Sequence, residues 1–316
     1  MSILKPLTAV AERVANCAQL ALLLEVSAYP KPGNVHRTAD YPLTTYEHFL
    51  ASIVAMRPSF EKAAERGAKC ASGHLSMEET RIGFLIKDAA ERMLSSQSGG
   101  NTHLGTIILV IPMAVAAALC IARERLSIED LRGSISSIIR SATPRDTVDL
   151  YDAIRAVRPA GLGRVERLDV MDPRSREAIL RDYVTPYDVF RIASPYDVVA
   201  REWVTGYSVT FELGYPYFRE ASKGARLNDA IVNTFLKILS EVPDTFIARQ
   251  FGDRRAEEVS ALARGALEAG GMTTDSGRRA VWALDDRLRK GDLNPGTTAD
   301  LVSSVLMVAA LFGLRP

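Results

Sequence analysis

The segment Gly99-Gly100-Asn101-Thr102-His103-Leu104-Gly105 leads directly into TIILVIPMAVAAALCIA, which covers residues 106–122 and contains no charged side chain. An uncharged run of this length after glycine and asparagine predicts a buried helix with polar residues at its N-terminus. Asn101 or Thr102 can cap this helix, and the first amide groups are then suited to an anion such as phosphate. The alternative is a glycine-rich loop with an ordinary N-cap, and this motif alone favours that alternative.

The same helix has nearly the length of a membrane span, but its composition is only weakly apolar. It contains Gly105, Thr106, Pro112 and many alanines, which favours a core helix of a soluble protein over a membrane helix. Residues 1–10 lack the apolar core and cleavage site of a signal peptide. We therefore expect no membrane partner.

Composition excludes several classes of protein. The chain has 316 residues, 47% of them hydrophobic, and a formal net charge of +1, so it lacks the basic excess of a nucleic-acid-binding protein. Its three cysteines, Cys17, Cys70 and Cys120, are widely spaced and form no C-x-x-C pair. Neither a disulfide framework nor a zinc site is indicated, and a reducing, cytoplasmic setting fits best.

Helical patterns dominate the chain. Residues 7–27 repeat apolar side chains at helical spacing, and Thr44-x-x-Glu47 and Ser76-x-x-Glu79 are typical capping boxes. Pro58 is expected to kink or divide the segment 46–72. Later helices are expected after Ser127, Thr143 and Ser194, and over residues 228–241, 254–269, 275–290 and 298–311.

The longest irregular segment covers residues 158–176 and is the one plausible domain boundary. No alternating strand pattern appears, apart from an ambiguous stretch at 208–213. The sequence therefore predicts an all-α fold, a bundle of helices around a central apolar helix, with residues 1–316 forming a single domain.

Several familiar signatures of chemistry are missing. The chain contains no Walker A sequence, G-x-G-x-x-G, H-E-x-x-H or G-x-S-x-G. Its four histidines, His36, His48, His74 and His103, do not suggest a histidine-based metal site. Any nucleotide chemistry must use a different arrangement of residues.

A second motif, EVSAYPKPGNVHR, covers Glu25 to Arg37. Prolines on both sides of Lys31 stiffen the backbone, and Gly33 permits close approach of a ligand. Lys31 and Arg37 would then be cations presented by a rigid loop; the alternative is a connector with solvated charges. Glu25 lies near a helix C-terminus, where the helix dipole disfavours an anion, which suggests a role such as holding Mg²⁺.

Two further clusters are weak when taken singly. In PDTFIARQFG, residues 243–252, Asp244 can simply cap a short helix that begins after the proline. In LNPGTTADL, residues 293–301, Asp300 lies in the first turn of an apolar helix, a position that the helix dipole alone explains.

Taken in order, the four clusters resemble the triphosphoribosyl-dephospho-CoA synthase family. The matching blocks are E-V-S-x-x-P-K-P-G-x-V, N-T-H-x-G, D-T-x-x-A-R and N-P-G-x-x-A-D-L, and they extend from Glu25 to Leu301. The resemblance implies an all-helical, Mg²⁺- and ATP-dependent transferase. In the family reaction, the 2′-hydroxyl of 3′-dephospho-CoA attacks the ribose C1 of ATP, and adenine leaves.

The resemblance also implies roles for residues in these blocks. Carboxylates can stabilise an oxocarbenium-like transition state, activate the hydroxyl or bind Mg²⁺, and cations and amide groups can bind the triphosphate. The candidate catalytic residues are Glu25, Asp244, Asp300 and His103, and the first three are also the candidate Mg²⁺ ligands. The candidate binding residues are Lys31, Gly33, Asn34, Arg37, Asn101, Thr102, Gly105, Arg249, Asn294 and Gly296.

Three positions depart from the family pattern. Leu104 stands where the citrate-lyase enzymes have lysine, His36 stands where they have aspartate, and Phe246 replaces a polar residue. The first two remove charges beside the expected phosphate and Mg²⁺ sites. Together they predict an altered acceptor or donor.

The leading hypothesis is a Mg²⁺-dependent transferase that moves the triphosphoribosyl group of ATP to a nucleotide-like acceptor related to dephospho-CoA. The alternatives are a small-molecule kinase, which would release ADP in place of adenine, and a non-catalytic nucleotide-binding relative. The expected partners are these small molecules, with no nucleic acid and no membrane, and a homodimer is left open.

Overall fold

The computed structural model describes residues 7–163 and 165–316, and these form an all-α protein, as predicted. These described ranges contain fifteen α-helices, a 3₁₀-helix at Glu78–Thr80 and a π-helix at Val209–Gly214. No strand occurs in the described ranges; one isolated bridge joins His36 and Ala39.

The α-helices are numbered in chain order. They are α1 Leu7–Ser27, α2 Tyr46–Ala71, α3 Ile82–Ser95, α4 Leu104–Ala122, α5 Ile128–Ser141, α6 Pro144–Val157, α7 Ser175–Arg181, α8 Pro186–Ala193, α9 Val198–Thr205, α10 Tyr215–Ala221, α11 Leu227–Glu241, α12 Thr245–Phe251, α13 Asp253–Glu268, α14 Asp275–Lys290 and α15 Gly296–Leu311.

The chain divides into two compact units, and each is made from two separate segments. Unit 1 comprises Met1–Leu20 and Ala51–Tyr207, and unit 2 comprises Ala21–Leu50 and Ser208–Pro316. The irregular segment 158–176, which the sequence suggested as a boundary, lies inside unit 1. Each unit contains one almost wholly buried apolar helix, α4 in unit 1 and α15 in unit 2.

In unit 1, α4 packs against α3, α5 and α9. Pro112 lies inside α4 and lacks the amide that would bond to the carbonyl of Ile108. The indole Nε1 of Trp203 donates to that carbonyl at 3.1 Å, and the hydroxyl of Tyr207 donates to the carbonyl of Leu109 at 2.8 Å. Two side chains thus satisfy backbone groups that the proline disturbs, and α4 continues without a break.

In unit 2, α15 packs against α10, α11, α12 and the π-helix. The Thr210 hydroxyl donates to the Ser304 hydroxyl at 3.0 Å inside this core. The π-helix at Val209–Gly214 and the preceding Ser208 cover the stretch 208–213 that the sequence left ambiguous, so this stretch is helical.

Several local expectations from the sequence are corrected. Pro58 does not divide α2, which is continuous from Tyr46 to Ala71. The box formed by Ser76 and Glu79 is present, but it opens the 3₁₀-helix, and α3 begins only after Arg81 with its φ of 51°. Helix α8, capped by Thr185, was not anticipated.

Within residues 7–163 and 165–316, two helices, α1 and α4, have the length and composition of a membrane span. In α4, 94% of the most apolar window is buried, as is typical of a core helix, whereas 39% of the window in α1 is buried.

Candidate active site

A series of hydrogen-bonded polar side chains in unit 2, buried except for the half-buried Asn294, joins two of the motif blocks. The Lys31 ammonium donates to Oε1 of Glu25 and, at 2.9 Å, to Oδ1 of Asn34. The Asn34 amide donates in turn to Oδ1 of Asn294 at 2.9 Å. Lys31 is fully buried and Glu25 is 3% exposed. The loop after α1 and the N-terminal end of α15 therefore meet through one continuous hydrogen-bonded path.

Burial shifts the pKa values of both Glu25 and Lys31. It raises the pKa of the Glu25 carboxyl, and the attraction and hydrogen bond of Lys31 oppose that rise. It lowers the pKa of the Lys31 ammonium, and Glu25 and Asp300 act in the opposite direction. A carboxyl whose pKa is raised by burial accepts a proton more readily than an exposed one.

A second cluster holds the backbone of the same loop against α14. Oδ1 of Asp285 accepts from the Gly33 amide and from Nε of Arg289, each at 2.9 Å. Arg289 also donates to the carbonyl of Asn34, and the Tyr41 hydroxyl donates to the carbonyl of Gly33 at 2.6 Å. The conformation of the loop is thus fixed by side chains about 250 residues away in the sequence.

His36, one of the departures from the family pattern, is fully buried and faces Asp285. Its Nε2 lies 3.4 Å from Oδ2 of Asp285, and its Nδ1 lies 3.1 Å from the Thr38 hydroxyl. Burial lowers the pKa of His36, so the neutral imidazole is favoured. Burial would raise the pKa of Asp285, but hydrogen bonds from His36 and Gly33 and the charge of Arg289 hold it below its usual value.

Asp244 is a buried N-cap that joins two helices. Its Oδ1 accepts from the amides of Phe246 and Ile247 at the start of α12, at 2.9 and 3.1 Å. Its Oδ2 accepts from the amide and hydroxyl of Thr298 in the first turn of α15, at 2.7 and 2.8 Å. Burial raises the pKa of Asp244, and these four donors act to lower it. Both carboxylate oxygens are therefore engaged by the protein.

Comparison with known proteins shows to which family the chain belongs. A model of the family described as ATP:dephospho-CoA triphosphoribosyl transferase matches residues 11–315. The chain belongs to this family. The classification as a transferase, predicted from the four motif blocks, is therefore confirmed.

Two curated relatives from this transferase family match this chain over nearly its whole length. A Pseudomonas fluorescens Pf-5 protein described as a 2-(5″-triphosphoribosyl)-3′-dephosphocoenzyme-A synthase is 27% identical over 96% of this chain and 92% of its own length. One from Stutzerimonas stutzeri, with the same description, is 28% identical over 95% of this chain and 92% of its own. A crystal structure from Archaeoglobus fulgidus, assigned as a triphosphoribosyl-dephospho-CoA synthase, shares the fold with a TM-score of 0.63. It has 23% identity and covers 84% of this chain and 100% of its own.

The Asn101–Gly105 motif block of the transferase lies in unit 1, at the start of α4. Oδ1 of Asn101 accepts from the Leu104 amide at 3.0 Å, so Asn101 caps the helix while His103 occupies the N-cap position. The Thr102 hydroxyl donates to the Ser52 hydroxyl and lies 2.9 Å from Nδ1 of His103. His103 and Leu104 are buried, and Gly105 follows in the first turn.

The other predicted binding residues lie in unit 2. The Arg37 guanidinium is exposed and lies over the Tyr29 ring, 4.1 Å from its centre. Arg249 is half-buried beside the Phe246 ring, and Gly296 begins α15 close to that ring. Asp300 is half-buried, and its charge acts on Lys31. Three of the four blocks are thus brought together in one unit.

Sequence reasoning missed Asp285, Arg289 and Thr298, which position the motif residues. The signal for Asp285 was present, because an acidic residue stands on the apolar stripe of α14 with Val281, Leu284 and Leu288. A charge on the buried face of a helix usually has a partner.

Gly33→Ala is expected to destabilise the protein more than the same substitution at a glycine whose only constraint is a positive φ. A Cβ at Gly33 would lie 2.3 Å from the Leu293 carbonyl oxygen, and φ is +73°. Gly73→Ala is the matched control, since φ there is +75° and the Cβ would meet nothing within 4 Å. We expect Gly73→Ala to lower the free energy of unfolding by about 1 kcal/mol. Gly33→Ala should lower it by roughly 2–3 kcal/mol or more, measured by urea unfolding; equal losses would contradict the steric argument.

Proposed function

We propose that this chain transfers the triphosphoribosyl group of ATP to 3′-dephospho-CoA or a closely related acceptor. A C–O bond forms between the acceptor's 2′-oxygen and the ribose C1 of ATP, and the N-glycosidic bond breaks. The bonding electron pair leaves with adenine, and the hydroxyl proton passes to a base. The observation that carries the proposal is the hydrogen-bonded path from Glu25 through Lys31 and Asn34 to Asn294, which joins two motif blocks of the family.

We assign the role of the general base to Glu25. Its carboxyl is buried, and Lys31 fixes one of its oxygens. Burial raises its pKa, which makes it a stronger base than an exposed carboxylate, and its negative charge would stabilise an oxocarbenium-like sugar. Asp300 is the alternative carboxylate.

The structure favours a different role for Lys31 than direct contact with phosphate. Its ammonium is fully buried and is already bound to Glu25 and Asn34. We therefore assign Lys31 to positioning Glu25 and Asn34. The phosphate contacts in unit 2 then fall to Arg37 and Arg249. The roles predicted for His103 and the rest of the Asn101–Gly105 block stay predictions.

We propose that Mg²⁺ binds together with the substrate phosphates, and not in a site formed by the protein alone. The described ranges contain no group of three or more His, Cys, Asp or Glu residues that could hold a metal ion. Mg²⁺ commonly binds substrate phosphates together with one or two carboxylates. Asp300 would suffice for this role, because Glu25 is held by Lys31 and assigned as the base, and Asp244 is engaged by four donors. Bound in this way, Mg²⁺ would neutralise the triphosphate.

We place the protein in the cytoplasm, since Cys17, Cys70 and Cys120 are free thiols. Its proposed partners are the two nucleotide substrates, and whether it forms a homodimer stays a prediction.

The test is incubation of the purified chain with ATP, Mg²⁺ and 3′-dephospho-CoA, followed by chromatography. We expect free adenine and a heavier CoA derivative in equal amounts. ADP would indicate phosphotransfer, and intact ATP with every acceptor tried would overturn the proposal. Glu25→Gln is expected to lower kcat by roughly 10²–10⁴. The control Glu220→Gln, at an exposed pair with Lys223, should leave kcat unchanged.

A further inference from the structure

An aromatic cluster lies on the outer side of the loop that carries Lys31. Tyr29 and Trp282 meet edge to face with ring centres 6.3 Å apart, and His36 meets Trp282 in the same way at 6.5 Å. His36 is buried and Tyr29 is half-buried, but Trp282 is 45% exposed. Trp282 stands in an otherwise very polar helix, α14. The Trp282 indole is therefore exposed to solvent, while Tyr29 and His36 pack against it from the protein side.

The cluster is held firmly by its surroundings. Asn228 on α11 accepts from the Tyr29 amide at 3.0 Å and donates to the Tyr29 carbonyl at 2.8 Å. His36 is fixed by Asp285 and Thr38. A ligand that stacks here would lose little free energy to ordering the protein.

Two cations flank the aromatic rings without an engaged anion. Among the described residues, the guanidinium of Arg37 makes no hydrogen bond or ion pair, and its contact is the Tyr29 ring. Arg279 is exposed, has no such partner in the described ranges, and lies one turn before Trp282 on α14. Of the acidic residues on α14, Asp285 is paired with Arg289, Asp286 is paired with Lys290, and Asp275 lies one turn before Arg279. Positive charge beside the rings is thus available to a ligand.

We propose that Tyr29, Trp282 and Arg37 bind the adenine base and a phosphate of one adenine nucleotide. Aromatic side chains stack on bases, and a guanidinium binds phosphate through paired donors. This inference rests on the proposed function, which requires two adenine nucleotides, the donor ATP and the acceptor 3′-dephospho-CoA. Both ATP and 3′-dephospho-CoA offer an adenine base for stacking and a phosphate for the guanidinium.

Binding without turnover tests the proposal. Calorimetry measures the Kd of ATP alone and of 3′-dephospho-CoA alone for the wild type, Trp282→Phe, Trp282→Leu and the control Tyr196→Leu, an exposed aromatic residue of unit 1. Trp282→Leu should raise the Kd of one nucleotide by roughly 10-fold or more. Trp282→Phe should retain most of the affinity, and Tyr196→Leu all of it.

The same titrations identify which nucleotide occupies the site. A loss confined to dephospho-CoA assigns the acceptor's adenine, and a loss confined to ATP assigns the donor's. Arg37→Gln should weaken AMP binding by roughly 10-fold while leaving adenosine binding unchanged.

Three results would overturn the inference: wild-type affinity of both nucleotides in Trp282→Leu, an equal loss in Tyr196→Leu, or no adenine nucleotide bound by the wild type. Circular dichroism of each variant excludes unfolding as a cause. If Trp282-dependent binding is found but no adenine is ever released, the proposed reaction fails while the nucleotide site stands.

Discussion

Replacing Lys31 by methionine is expected to reduce kcat roughly 100-fold or more, because Glu25 and Asn34 lose the group that orients them. The variant should also be less stable by roughly 3–5 kcal/mol, since a buried carboxylate is left without its partner. Adenine release measures the first effect, and guanidinium unfolding measures the second. Lys223→Met, at an exposed ion pair, should change neither quantity.

A double variant separates the structural role of Lys31 from its role in the reaction. Lys31→Met combined with Glu25→Gln removes both charges, so much of the lost stability should return while turnover stays low. If Lys31→Met instead raised the KM for ATP at unchanged kcat, Lys31 would be a phosphate ligand, as the sequence predicted.

Asp244→Ala is expected to lower the free energy of unfolding by roughly 3 kcal/mol or more, because the buried donors at the starts of α12 and α15 lose their shared acceptor. Urea unfolding provides the measurement. Asp197→Ala is the matched control, because Asp197 caps only α9 and is half-buried. That change should cost about 1 kcal/mol.

The outcome for Asp244 also distinguishes the two interpretations that the sequence allowed. Loss of stability together with activity supports the double N-cap. Abolished turnover at wild-type stability would show that Asp244 is a catalytic or Mg²⁺-binding residue, and our assignment would be wrong.

The sequence predicted the helical fold well because helical information is local. The apolar runs of α4 and α15 and the caps at Ser127, Thr143 and Asp244 each depend on a few neighbouring residues. Trp203 could not be predicted as the donor to Ile108, since the contact joins residues 95 positions apart.

The candidate site was predicted only in part. The motif blocks identified Glu25, Lys31, Asn34 and Asn294, which the structure brings together. The burial of Lys31 was missed, because Pro30 and Pro32 indicate a stiff loop without showing which side faces inward. The roles predicted for Glu25, Asp300 and His103 stay predictions.

The two-segment composition of unit 2 has a consequence for synthesis on the ribosome. The Lys31 loop emerges early, but Asp285 and Asn294, which hold Gly33 and Asn34, are separated from those residues by 252 and 260 positions. Contacts of such long range form late and slowly. Nascent chains that end before α14 therefore lack the residues that hold Gly33 and Asn34, so shortened versions of this protein should be substrates for chaperones and proteases.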